Sequence, residues 1–143
     1  MAKIAPSILS ADFGHLANDI HMINESDADW LHIDVMDGVF VPNISFGFPL
    51  MKAFKQHSTK PLDVHLMIVH PEKYVERFCD AGAYSVGFHL EAVEDPLPIL
   101  DLIKAKGVRT KKDFRDITAG NETVYLTIEI PRYFCKACDA KLK

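Results

Sequence analysis

The sequence lacks any apolar run that approaches the ~18 residues of a membrane-spanning helix. It also lacks a surplus of positive charge, since 16 lysines and arginines against 20 aspartates and glutamates give a formal net charge of −4. No general attraction to nucleic acid or to an anionic membrane is therefore expected. The amino terminus, MAKIAPSILS, has no sustained apolar core of the kind that a signal peptide needs. These absences favour a cytoplasmic protein with no membrane partner.

Cysteine is scarce as well, with three residues in the whole chain. An odd count argues against a disulfide framework and fits a reducing compartment. Cys79 stands alone, whereas Cys135 and Cys138 form a C-x-x-C near the end of the chain. That pair is half of a four-ligand zinc site. We interpret it as two free thiols.

Strand-like and helix-like segments alternate through the first hundred or so of the 143 residues. Four βα units in a row predict a parallel sheet, because the return to a parallel neighbour needs a crossover, usually a helix. The strands are apolar almost throughout, as expected when both faces of a sheet are covered. The predicted strands are KIAPSIL, DWLHIDVM, KPLDVHLMIV and YSVGFHLEA, and the predicted helices lie in ADFGHLANDIHMINESD, FGFPLMKAFKQHS, HPEKYVERFCDAGA and EDPLPILDLIKAKG.

The character of the sequence changes after Gly107, where a fifth strand would be due. The chain instead reads VRTKKDFRDITAGNE, which is charged and loop-like. TVYLTIEI then alternates apolar and polar residues, the pattern of a half-exposed strand of antiparallel type. We therefore predict a boundary that separates residues 1–107 from a divergent tail, 108–143, with one strand.

Polar residues recur on single faces of the predicted strands, because side chains two apart on a strand point the same way. His32 and Asp34 share a face of the second strand, and His65 lies on a face of the third. These positions lie toward the carboxyl ends of the strands, where parallel α/β folds place their sites. Two imidazoles and one carboxylate suit zinc, iron or manganese better than calcium or magnesium. The same alternation pairs Ser7 with Ala5, Asp63 and Met67 with His65, and His89 with Glu91 if that strand extends so far.

Each of these residues also has a plainer interpretation. A single histidine in a strand is most often a core or rim residue with a satisfied hydrogen bond. Asp37, before Gly38, is most simply a turn residue, and Met36 and Met67 are most simply packing residues. Burial of an ionised aspartate without a partner costs several kcal/mol, however, so a shared role explains His32, Asp34 and His65 better than three separate accidents.

Four segments, APSILSADF, LHIDVMDGVFVPNISFG, LDVHLMIVHPEKYVERFCDAGA and FHLEA, resemble the N-terminal half of the ribulose-phosphate 3-epimerase family over roughly residues 3–108. The resemblance implies a TIM-barrel-type α/β fold, here about four βα units of an incomplete barrel. It implies an isomerase of the pentose phosphate pathway that interconverts D-ribulose 5-phosphate and D-xylulose 5-phosphate. It also implies one divalent cation (Zn, Fe, Mn or Co).

The resemblance further implies roles for individual residues. His32, Asp34 and His65 would be metal ligands, and Asp34 would also be a catalytic acid/base. Ser7 and His65 would contact the sugar phosphate, while Met36 and Met67 would line its pocket.

The chain departs from the family in length, because a (β/α)₈ barrel typically takes ~250 residues. The family's second catalytic aspartate and its phosphate-binding loops come from later strands, and Asp113, Asp116, Asp139 and Gly120 do not match them. One alternative is therefore an inactive half-barrel or fusion product. A second copy of such a half-barrel would be its partner in a homo-oligomer. The tail faintly resembles a zinc-binding N-terminal segment of transposases, so a nucleic-acid-binding module is a further alternative, which the overall acidity disfavours.

Overall fold

The computed structural model describes residues 3–110, together with the backbone of Thr118–Ala119 and Glu122–Thr123. Four strands of the described part form a parallel sheet in the order β1-β2-β3-β4, with residues as follows: β1 Leu31–Met36, β2 Leu62–Met67, β3 Ser85–Phe88 and β4 Arg109–Thr110. The helices that alternate with them are α1 Leu16–Glu25, α2 Phe48–His57, α3 Val75–Asp80 and α4 Leu97–Ala105. This is part of a (β/α) barrel, so the predicted fold class is confirmed. Every helix within the described residues is too short or too polar to cross a lipid bilayer.

The core lies between the sheet and the helices. Leu31, Ile33 and Val35 of β1 alternate with polar residues and are buried against the helices. The same alternation places Leu62, Val64 and Leu66 of β2 on that side. Helix residues fill the space opposite them, among them Ile20, Met51, Phe54, Phe78 and Ile103. The other face of β1 and β2 therefore carries the polar side chains of these strands, together with Met36 and Met67.

The first predicted strand, KIAPSIL, is wrong in its extent. The chain makes one parallel bridge there, between Ser7 and His32, and then turns into a 3₁₀ helix, Ile8–Ser10. The Ser7 hydroxyl accepts a hydrogen bond from the backbone N–H of Leu9, which favours the turn over a continued strand. Pro6 has no N–H to donate to a ladder, although its carbonyl accepts from the His32 N–H at 3.0 Å.

The ends of the sheet differ from expectation in two further places. The fourth predicted strand stops at Phe88, and a 3₁₀ turn, Leu90–Ala92, follows, so His89 and Glu91 do not lie on one strand. The residues after Gly107 were predicted to be loop-like. The structure instead has the short strand β4 there, which pairs Arg109 with Ser85. Past β4, Thr118–Ala119 and Glu122–Thr123 pair antiparallel as β5 and β6. The strand predicted in TVYLTIEI lies almost wholly outside the described residues.

A turn at Gly38 follows the carboxyl end of β1. Asp37 Oδ1 accepts from the N–H groups of Val39 and Phe40, both at 2.9 Å, so Asp37 is a turn residue as predicted. Asp37 Oδ2 also accepts from the Val69 N–H at 2.8 Å, which ties the turn to the end of β2. Gly38 has φ +77°, a left-handed conformation that favours glycine.

Replacement of Gly38 by alanine is expected to lower the free energy of unfolding by about 1–2 kcal/mol, the usual cost of the left-handed conformation for a residue with a Cβ. The new Cβ would also lie 2.7 Å from Cγ1 of Ile44. Equilibrium unfolding in urea measures the change. Gly47→Ser is the matched control, because Gly47 has a negative φ and open space around it, and serine is a good helix N-cap. Equal costs at the two positions would contradict the prediction.

Candidate metal centre

The register of β1 and β2 brings the candidate residues into two facing rows. His32 pairs with Asp63, Asp34 with His65, and Met36 with Met67. All six lie on the sheet face that points away from the helices, because they alternate with the core residues of their strands. The parallel register thus places two side chains that are distant in sequence beside each other, Asp34 and His65.

The three predicted ligands converge on one point. Oδ1 of Asp34 lies 3.1 Å from Nε2 of His32 and 3.1 Å from Nδ1 of His65. One ligand atom from each residue falls within 4.8 Å of the other two. Asp34 is fully buried and His32 is 6% exposed. Because these donors are two imidazole nitrogens and a carboxylate oxygen, the group could hold a divalent cation of the zinc, iron or manganese type.

Asp34 is held in its ionised form. Burial by itself would raise the pKa of this carboxyl group, but contacts with its neighbours outweigh burial and hold the pKa well below its usual range. The largest of these contacts are the hydrogen bonds with His32 and His65, followed by the charge of His32 and the hydrogen bond from Ser7. A buried, ionised carboxylate with two imidazole nitrogens beside it is a preformed ligand for a cation.

Ser7 lies on the other side of this carboxylate. Its hydroxyl donates to Oδ2 of Asp34 at 2.5 Å, and its backbone bridges to His32. The two carboxylate oxygens therefore differ: Oδ1 faces the imidazoles and Oδ2 faces the hydroxyl. Ser7 was predicted to contact a substrate; here it joins the group as a neighbour of the Asp34 side chain.

Met36 and Met67 lie next in their strands beyond Asp34 and His65. Both are buried, with 5% and 1% of their surfaces exposed. Asn43 Nδ2 donates to the Met36 sulfur at 3.5 Å. Both methionines lie beside the candidate ligands, where they could line a pocket. Ordinary core packing would bury them equally well.

Ser45 was not predicted from the sequence. Its hydroxyl donates to the backbone carbonyl of Asp34 at 2.7 Å and accepts from the N–H of Met36 at 3.0 Å. Serine in a loop gives no sequence signal for such a contact. The contact ties the segment after β1 to the strand at the level of the ligands, and so steadies the backbone of Asp34.

Two further residues hold the outer sides of the imidazoles. Nδ1 of His32 lies 2.7 Å from Oδ2 of Asp63, and Nε2 of His65 lies 2.8 Å from Nε2 of His89. The signal for Asp63 was present, since it shares a strand face with His65. His89 was singled out with Glu91 on one strand, but its contact with His65 could not be predicted, because it depends on how the chain turns after β3. Burial, then the charge of His65, lowers the pKa of His89 to about 4, although Glu91 opposes the shift.

The remaining histidines lie away from this group. His15, His21, His57 and His70 are exposed. Cys135 and Cys138, like Asp113, Asp116, Asp139 and Gly120, lie outside the described residues. The resemblance of the tail to transposases stays a prediction.

Comparisons with known proteins agree on one family. The sequence model of the ribulose-phosphate 3 epimerase family matches residues 3–129. A ribulose-phosphate 3-epimerase of Synechocystis is 54% identical over 93 residues, which cover 65% of this chain and 40% of the relative. The cytoplasmic isoform of rice is 43% identical over 122 residues (85% and 54%), and the Bacillus subtilis protein is 48% identical over 109 (76% and 50%). The chain spans about half the length of the curated relatives it matches.

The match bears on the tail, since it extends beyond Gly107. The division into residues 1–107 and 108–143 remains a prediction.

Proposed function

Because the chain belongs to the ribulose-phosphate 3-epimerase family, we propose that it is a metal-dependent epimerase that interconverts D-ribulose 5-phosphate and D-xylulose 5-phosphate. The observation that carries the proposal is the His32–Asp34–His65 group at the carboxyl ends of β1 and β2, in which His32 and Asp34 are buried and His65 is partly exposed. Its partner is a small sugar phosphate. The name of the rice relative places that protein in the cytoplasm, and we propose the same location here.

The reaction inverts C3 of a sugar beside a carbonyl at C2. The carbonyl makes the C3 proton acidic, because its removal leaves an enediolate whose charge is shared between oxygens. A divalent cation held by His32, Asp34 and His65 supplies electrostatic stabilisation of such negative charge. Zn, Fe, Mn and Co all suit this donor set.

Asp34 is the residue that we propose to move the C3 proton. Its Oδ1 faces the two imidazoles, which leaves Oδ2 as the oxygen for proton transfer. The Ser7 hydroxyl, which donates to Oδ2, is placed to orient that oxygen and to contact the sugar. His65 would also contact substrate, and Met36 and Met67 would line the pocket near the reacting carbons.

Inversion needs a second acid/base group on the opposite face of the substrate. In the family this group comes from a later strand, so the proposal has a defined alternative: a chain that carries Asp34 but does not epimerise. Exchange of the C3 proton with solvent reports on Asp34 alone. Xylulose 5-phosphate appears only when an acid/base group acts on each face of the substrate.

The test is to incubate the purified 143-residue chain with D-ribulose 5-phosphate in D₂O, with Zn, Mn, Fe or Co supplied separately. We expect xylulose 5-phosphate in a coupled assay and deuterium at C3 by NMR. Deuterium at C3 without xylulose 5-phosphate would support proton abstraction but overturn the epimerase proposal. Neither product with any of the four metals would overturn both.

A further inference from the structure

We propose that His89 and Asp63 are positioning residues of the metal centre. Each holds the outer nitrogen of a ligand imidazole, so that the inner nitrogen keeps its lone pair directed at the cation position beside Asp34. The inference rests on the proposed metal site, but not on turnover.

The two ends of the His65 ring have different neighbours. Nδ1 lies 3.1 Å from Oδ1 of Asp34, and Nε2 lies 2.8 Å from Nε2 of His89. The His65 and His89 rings stack with their centroids 5.0 Å apart and an interplanar angle of 28°. The centroid of the Phe40 ring lies 4.8 Å from that of His89, so His89 contacts two rings. The outer end of the His65 ring thus contacts His89, and Phe40 in turn restrains His89.

His32 repeats this arrangement with a different partner. Its Nε2 lies 3.1 Å from Oδ1 of Asp34, and its Nδ1 lies 2.7 Å from Oδ2 of Asp63. A neutral imidazole that offers Nε2 to a cation carries its proton on Nδ1, and the acceptor at that end is Oδ2 of Asp63. Metal-bound histidines commonly donate their second N–H to a carboxylate or carbonyl in this way, which sets the tautomer and the ring orientation.

The same requirement assigns the proton of His65. A neutral imidazole that offers Nδ1 to a cation carries its proton on Nε2, and the acceptor at that end is Nε2 of His89. His89 must then carry its own proton on Nδ1, the side on which Oε2 of Glu91 lies at 3.8 Å. Both rings stay neutral in this arrangement, and no proton is gained or lost.

The first test is Co²⁺ titration of the full 143-residue chain, followed by its visible absorption. His89→Leu, which removes the acceptor, is expected to weaken Co²⁺ binding by about 10–100-fold, the usual effect of losing an outer partner. Asp63→Asn is expected to weaken it about 10-fold, because an amide still accepts but carries no charge. His89→Gln keeps a polar group at this position and should recover most of the affinity. His21→Leu, on the exposed face of α1, is the control and should bind as the unchanged chain does.

The second measurement needs no substitution. In the Zn²⁺-loaded chain, ring ¹⁵N–¹H NMR should show the proton of His65 on Nε2 and that of His89 on Nδ1. A proton on Nδ1 of His65, or unchanged Co²⁺ affinity in folded His89→Leu, would overturn the inference while leaving the metal site intact. No Co²⁺ binding by the unchanged chain would overturn the metal site and the inference together.

Discussion

Asp34→Asn is expected to lower epimerase turnover by about 10²–10⁴-fold, the range that a positioned acid/base group contributes. An amide cannot accept the C3 proton, so the loss should appear in kcat at saturating substrate. The loss of kcat should persist at saturating metal. This condition excludes weaker metal binding as the cause of the loss. The coupled assay for xylulose 5-phosphate measures turnover, and Co²⁺ absorption measures the occupancy of the site.

The substitution suits this purpose because it changes charge but little shape. The amide oxygen of this variant can still face the imidazoles while its NH₂ group donates to the Ser7 hydroxyl, so the packing around residue 34 should be kept. Circular dichroism and urea unfolding check that the variant is folded. Asp101→Asn, an exposed position on α4, is the matched control and should keep full turnover. An Asp34→Asn variant that retained more than about a tenth of the turnover would exclude Asp34 as the essential acid/base.

Phe54→Ala is expected to lower the free energy of unfolding by about 3–5 kcal/mol. The Phe54 ring is fully buried, and it packs edge-on against Phe46 with 5.4 Å between centroids. Its removal loses the transfer free energy of the ring and leaves a cavity that the sheet and helices can only partly close. Since a domain is typically stable by only about 5–15 kcal/mol, this is a large fraction of the total.

Phe13→Ala is the matched control for that variant. The Phe13 ring also lies against Phe46, at 5.9 Å, but Phe13 is 48% exposed. Its loss should cost less than about 1.5 kcal/mol, the upper value for an aromatic pair beyond its buried area. Urea unfolding followed by the fluorescence of Trp30, the one tryptophan, measures both variants. A similar cost for both would show that burial of Phe54 does not dominate.

The alternation of apolar and polar residues predicted β1 and β2 closely. DWLHIDVM and KPLDVHLMIV contain Leu31–Met36 and Leu62–Met67, because a strand with one face in the core repeats every two residues. The same rule failed in KIAPSIL, where a serine that caps its own turn competes with the ladder. It also missed β4, because two residues are too few to show a period and their pairing depends on the neighbouring strand.

The candidate site divides in the same way. The shared face of His32 and Asp34 follows from their spacing on one strand, and the pattern of the next strand added His65, to which the resemblance also gave a ligand role. Contacts between strands do not follow from spacing, because they depend on register: Asp34 meets His65 since β1 and β2 align at those residues. Ser45 was missed, and His89 was predicted beside Glu91 and not against His65, because both lie in segments after strands, where tertiary packing sets the direction of the chain.

By itself, the sequence determined the alternation of strands and helices, the family, and three candidate ligands on two strands. Those properties are encoded locally, in hydrophobic period and in the identities of the side chains. Only the tertiary structure decided that Oδ1 of Asp34 faces both imidazoles, that Oδ2 faces Ser7, and that Asp63 and His89 hold the rings from outside. The physical reason is that hydrogen bonds act over about 3 Å, a scale that strand register and turn geometry set and that spacing along the chain does not.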